Sequence, residues 1–122
     1  MPDSAFDLIA VVVDWLDFCR ARRLNDLLNL YDAGGSLECA CEGVYRGRDD
    51  IAAYWSPRLE RAVPNAFRLI ELVADNSHDR PCIVVDYVAY DGRPVQIRFL
   101  FTSAGKIDHT ACAPLSQPLK TA

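Results

Sequence analysis

The chain has no basic run, no long uncharged apolar stretch and no glycine-rich phosphate loop, and each absence removes a class of function. Its 17 Asp and Glu outnumber 13 Lys and Arg, for a net charge of −4. Phosphate backbones are held by concentrated Lys/Arg surface, so no nucleic-acid partner is expected. The stretch MPDSAFDLIAVVVDWLDF is apolar but carries Asp3, Asp7, Asp14 and Asp17. A membrane span needs about 20 apolar residues without such charges. A secretory signal has a basic start and a small-residue cleavage site. Neither pattern is present, which leads us to expect a soluble, cytoplasmic protein with no membrane partner. The cysteines number five, odd and without a framework spacing, as befits reduced thiols. No internal repeat is visible, and no Ser-His-Asp or Cys-His set has a supporting spacing.

What is present is enough apolar residue for one core. With 122 residues and 51% hydrophobic composition, the chain suits a single domain burying roughly two-thirds of its unfolded surface. A first helix carries two neighbouring apolar stripes, Phe6, Ile9, Val13, Leu16 and Leu8, Val12, Trp15, Cys19. A second helix carries Leu24, Leu27, Leu28 and Tyr31 and stops at Gly34-Gly35. Residues 36–42 alternate as a strand. A third helix starts near Asp49, with Ile51, Tyr54, Trp55 and Leu59 at helical spacing, and Pro57 kinks or restarts it. Strands follow over 66–74, 82–90, 95–102 and 106–112. Asp91-Gly92 is a strong hairpin signal. The fold class is therefore α+β, with N-terminal helices against one face of an antiparallel meander. Residues 1–113 form the domain, and 114–122, rich in Pro and polar residues, read as a loose tail.

Facing depends on turn length. If Asp91-Gly92 is a two-residue loop, Tyr90 pairs with Arg93 and Asp86 lies opposite Ile97. One face then holds Val84, Asp86, Val88, Val95, Ile97, Phe99 and Phe101. If Ala104-Gly105 is also a two-residue loop, Asp108, Thr110 and Cys112 join that face, and His109 takes the other. A slip of one residue inverts each assignment.

The segments LNDLLNLYDAGGSLEC, GVYRGRDDIAAYW and YDGRPVQIRFLFTSAGKI, in that order, resemble the nuclear transport factor 2-like superfamily, in its SnoaL-like and ketosteroid-isomerase-like branches. The resemblance implies a cone: a curved antiparallel sheet wrapped around N-terminal helices, with a cavity at the open end and a homodimer through the convex sheet face. Members include isomerases, cyclases, dehydratases and non-catalytic binding modules. In the isomerase-like pattern the base falls at Cys39, a tyrosine donor at Trp15 and a protonated acid at Ile97. All three are replaced, so that familiar chemistry is not expected.

Asp86, in CIVVDYVAY, is the candidate catalytic group. On an apolar face its carboxyl would be costly to ionise and suited to acid–base work. A structural hydrogen bond, or a slipped register that puts it in solvent, is the competing reading. Cys39 and Cys41 share a strand face. They read as small buried residues, as pocket-lining thiols or as a metal or redox pair. A metal would want three or four ligands including His, and none is assigned. Trp15, Cys39, Tyr54, Ile97, Phe99 and Thr110 are the expected pocket lining. The expected ligand is a small apolar or ring-shaped molecule, handled without a cofactor by proton transfer or simply bound.

Overall fold

A computed structural model describes residues 4–40, 43–75 and 80–115. Cys41, His78 and the polar tail from 116 onward lie outside the described residues. The order is α1 (Ser4–Ala21), α2 (Leu24–Asn29), β1 (Tyr31–Cys39), β2 (Gly43–Arg46), α3 (Gly47–Glu60), β3 (Leu69–Asp75), β4 (Cys82–Val88), β5 (Pro94–Phe101) and β6 (Ile107–Pro114). The strands form one sheet in the order β2-β1-β6-β5-β4-β3. All neighbours are antiparallel except β1 and β6, which run parallel.

Helix α1 lies against the sheet through Leu8, Val12, Trp15, Leu16 and Cys19, all buried, while Val13 of the neighbouring stripe is exposed. Trp15 centres the core. Its ring meets Trp55, Tyr87 and Phe99 edge-on, at centroid distances of 5.4, 5.6 and 5.2 Å. Such edge-to-face pairs match the positive ring edge to the negative ring face. Helix α3 runs through Pro57 and buries Ile51, Tyr54, Trp55 and Leu59, the four residues at helical spacing.

Two elements differ from expectation. The second helix ends at Asn29, and Tyr31 opens β1 instead of closing the helix. The reason is a backbone partner: Ile107 N–H donates to Leu30 O at 2.8 Å, drawing the chain into the sheet beside β6. Residues 43–46, unassigned in the sequence, pair with β1 as β2.

The decisive difference is the β4–β5 loop. Ala89 N–H donates to Arg93 O at 2.8 Å, so Tyr90, Asp91 and Gly92 form a three-residue loop. Gly92 adopts φ +91°, the left-handed residue such loops need. The extra residue moves the register by one. Asp86 lies opposite Gln96, and Val85 opposite Ile97. At the β5–β6 turn the expected pairs hold for Phe99–Thr110, Ile97–Cys112 and Leu100–His109. An irregularity beyond Leu100 pairs Phe101 with Ile107, leaving Asp108 without the position expected for it.

Registers across the sheet define its faces. Inward rows run Ile83, Phe99, Thr110, Leu37 and Val85, Ile97, Cys112, Cys39. Outward rows run Val84, Arg98, Ala111, Glu38 and Asp86, Gln96, Ala113.

Candidate ligand-binding cavity

Where the inward face runs past the end of the packed core, it leaves a cavity of about 360 Å3. Helix α3 supplies Tyr54, Trp55 and Arg58. The β4–β5 hairpin supplies Tyr87, Ala89, Tyr90, Asp91, Arg93, Pro94 and Val95. The ends of β1 and β6 supply Cys39, Ala40, Cys112, Ala113 and Pro114. The volume lies in the range of small-molecule sites, roughly 300–1,000 Å3.

The cavity's polar features are few and specific. Tyr54 is nearly buried, and its hydroxyl lies beside the Cys39 side chain. Burial first, and then the neighbouring Cys39 thiol, push its ionisation well above the ordinary tyrosine range, against an opposing pull from Arg58 and with a smaller push from Cys112. Tyr54 is therefore a neutral hydrogen-bond donor at any physiological pH. The Arg58 guanidinium stacks 3.8 Å from the Tyr54 ring centroid and 5.6 Å from that of Tyr90. Its Nη1 donates to the Tyr54 carbonyl at 2.7 Å, which fixes the head group at the wall. Tyr87 stands at the inner wall, and burial raises its ionisation as well. Asp91 accepts from the Arg93 backbone N–H at 3.1 Å and faces the Arg93 guanidinium at 3.5 Å.

The sequence-expected residues divide. Cys39 and Tyr54 line the cavity. Trp15, Ile97, Phe99 and Thr110 lie below it, each almost wholly buried. Trp15 Nε1 donates to the Tyr31 hydroxyl at 3.4 Å, and that hydroxyl is hydrogen-bonded to the Thr110 hydroxyl at 3.2 Å. The Trp55 indole N–H favours the Tyr31 phenolate by its proximity but makes no hydrogen bond of full geometry. These rings fill the space that a deeper cone would leave open.

Asp86 is on the opposite face. Gln96 Nε2 donates to its Oδ1 at 3.0 Å, and it is half-exposed. The register places it outside the cavity, on the face opposite to the one expected for it. Arg58, Tyr87, Tyr90, Arg93 and Cys112 were not among the expected lining residues. Arg58 follows Tyr54 by four residues and so shares its helical face, a signal the sequence did carry. Tyr87 needed the correct loop length.

The outer face holds an arrangement no spacing could reveal. Ser36 Oγ lies 2.6 Å from His109 Nδ1, and His109 Nε2 lies 3.4 Å from Glu38 Oε1. Ser36 and His109 are 73 positions apart, brought together by the parallel β1–β6 pairing. Beside them lies a shallow groove bounded by Glu38, Gln96, Arg98 and Ala111. Among the described residues no group of three or more His, Cys, Asp or Glu could hold a metal ion. No helix among them is long and apolar enough to cross a membrane.

No protein-family model matches the sequence, and no curated protein sequence matches it either. Solved structures do. A SnoaL-like protein of unknown function from Burkholderia thailandensis superposes with a TM-score of 0.76, at 18% identity, over 93% of this chain and 98% of that one. A nuclear transport factor 2-like protein with a cystatin-like fold from Novosphingobium aromaticivorans gives 0.69, at 16% identity, over 89% and 80%. The Orange Carotenoid Protein of Anabaena, binding canthaxanthin, gives 0.69 at 21% identity; the match covers 88% of this chain and 36% of that longer protein. At these identities the likeness concerns architecture. The chain has the nuclear transport factor 2-like, cystatin-like fold that SnoaL-like proteins share.

Proposed function

We propose that the protein binds a compact, mostly apolar, ring-shaped small molecule in the cavity above Trp55, and does so without catalysing its conversion. The carrying observation is the lining itself: aromatic walls from Tyr54, Trp55, Tyr87 and Tyr90, with the Tyr54 and Tyr87 phenols held neutral and the Arg58 guanidinium stacked on the wall. Flat rings pack against such walls, and the few polar groups orient them. A structural relative, the Orange Carotenoid Protein, binds the apolar ligand canthaxanthin.

The alternative, an isomerase, cyclase or dehydratase working by proton transfer, needs a base within reach of the substrate. Among the described lining residues Asp91 is the sole carboxylate, and it is tied to Arg93 at the rim. Asp86 faces away. The binding reading is favoured on that ground.

The proposal includes a homodimer through the outer sheet face. Across that face Val73, Val84, Arg98, Ala111, Glu38 and Val44 stand in register, with Val73 and Val44 exposed at the ends. Arg98 and Glu38 carry opposite charge on either side of small Ala111, so a two-fold copy could pair each with the other. We also place the protein in the cytoplasm, where Cys19, Cys39, Cys82 and Cys112 would remain thiols, as they are here.

A thermal-shift screen against ring-shaped and small acidic metabolites tests the binding. A ligand at a hundred times its Kd stabilises by about 2.7 kcal/mol. No shift across a broad panel would reject the reading. For the dimer, light scattering should report twice the chain mass for the wild type and a single chain mass for Ala111→Arg. A wild-type monomer at micromolar concentration rejects that part.

A further inference from the structure

Two of the cavity's side chains are thiols from different strands. Cys39 of β1 and Cys112 of β6 are direct partners in the parallel register. Both belong to the inward row, both are half-buried, and both line the cavity. They stand 73 positions apart in sequence and are brought together by the pairing of β1 with β6.

Strand geometry says what such a pair suits. Neighbouring strands lie about 4.7–4.9 Å apart, and directly opposed Cβ atoms are spaced similarly. A disulfide wants its Cβ atoms at about 3.8 Å, so closure would pull the two strands together. Two thiolates on either side of a soft cation, each with a metal–sulfur bond of about 2.3 Å, span about 4.6 Å, which is the strand spacing. Zinc prefers four ligands, and the described residues offer no third. Copper(I) is soft, selects thiolates and accepts two of them.

We propose that Cys39 and Cys112 form a two-thiolate site for a soft monovalent cation, copper(I), at the inner wall of the cavity. On binding, both thiols lose their protons to solvent and two copper–sulfur bonds form. No electron is transferred, and the centre carries a net charge of −1. The Tyr54 hydroxyl, beside the Cys39 side chain, is placed to orient that ligand from outside the coordination sphere. The Arg58 guanidinium, stacked on the Tyr54 ring, offsets the negative charge.

The test uses the full, reduced chain without oxygen. Copper(I) is supplied as its complex with bathocuproine disulfonate, whose colour fades as the metal is withdrawn. The wild type should withdraw one copper per chain. Cys39→Ala and Cys112→Ala should each weaken binding by at least about a hundredfold, the scale expected for losing an essential ligand. Cys82→Ala, on the outer face, should leave it unchanged. A second reading needs no variant: alkylation of the wild type, mapped by mass spectrometry, should show Cys39 and Cys112 protected together by copper(I). Failure of the wild type to withdraw copper would overturn the proposal. So would full binding by either cavity variant, or protection that falls on other cysteines.

Discussion

Tyr31 shows how one residue couples the core to solution conditions. Its hydroxyl is fully buried against Thr110, and burial lifts its ionisation from 10.0 to about 12. Burial also raises Tyr87, Tyr54, Cys19 and Cys82. In the unfolded chain these groups lose protons at their ordinary values, while the folded chain holds them. Stability is therefore fully present below about pH 8, starts to fall as pH passes the ordinary thiol range, and continues to fall through about pH 12 for Tyr31. Tyr31 alone accounts for roughly 3 kcal/mol of that loss. Denaturant titrations at pH 7, 9.5 and 11 should show a small loss over the first interval, from the buried thiols, and a larger one over the second, when the tyrosines join. Tyr31→Phe should shrink the alkaline loss while costing about 1 kcal/mol at pH 7, the net worth of one hydrogen bond. Asp86 behaves differently because it is half-exposed and holds only Gln96. Asp86→Asn is expected to stay within about 0.5 kcal/mol of wild type and to leave ligand binding intact.

At the scale of elements, the β1–β6 pairing is the feature on which cavity and core both depend. Strand β1 reaches β6 through an irregularity between Tyr31 and Ser36. There a Cβ at Gly35 would stand 3.0 Å from the carbonyl oxygens of Asp32 and Ile107. Both are backbone atoms and cannot swing away. At Gly34 the nearest atom is the Asp32 carboxylate, at 3.6 Å. Gly35→Ala should cost about 1–3 kcal/mol, in the manner of overpacking, and Gly34→Ala much less. Thermal unfolding of the two variants side by side checks this. Equal losses would mean that the close approach is not what constrains β1. Much of the element order was legible, because helical spacing at Ile51, Tyr54, Trp55 and Leu59, and alternation in the last three strands, are local patterns. Register was less so. Asp91-Gly92 announces a turn, but whether Tyr90 belongs to the loop is decided by the Ala89–Arg93 hydrogen bonding, which no local signal states. One residue of loop carried Asp86 from cavity to outer surface. Two of the six expected lining residues, Cys39 and Tyr54, border the cavity, one at the end of β1 and the other on the sheet-facing side of α3. Trp15, Ile97, Phe99 and Thr110 have the correct facing but the wrong depth. Depth depends on how far the rings of Trp15 and Trp55 fill the cone, and that is a matter of packing, not of period.

For the molecule as a whole, the fold separates two surfaces by one sheet. The inward side carries a deep aromatic core capped by the cavity, and the outward side carries charge, small residues and the Ser36–His109–Glu38 set. Truncating the centre of the core should be felt throughout. Trp15→Ala removes three edge-to-face contacts and is expected to cost about 3–5 kcal/mol. Ligand binding, by contrast, should depend on the cavity alone. The most direct measurement is a thermal-shift comparison of wild type, Asp86→Asn and Val95→Trp with the best ligand from the metabolite screen. Val95→Trp would place an indole inside the lining. The account predicts equal ligand-induced shifts for wild type and Asp86→Asn, and no shift for a folded Val95→Trp. A shift that disappears in Asp86→Asn and persists in Val95→Trp would put the binding site on the outer face and contradict it.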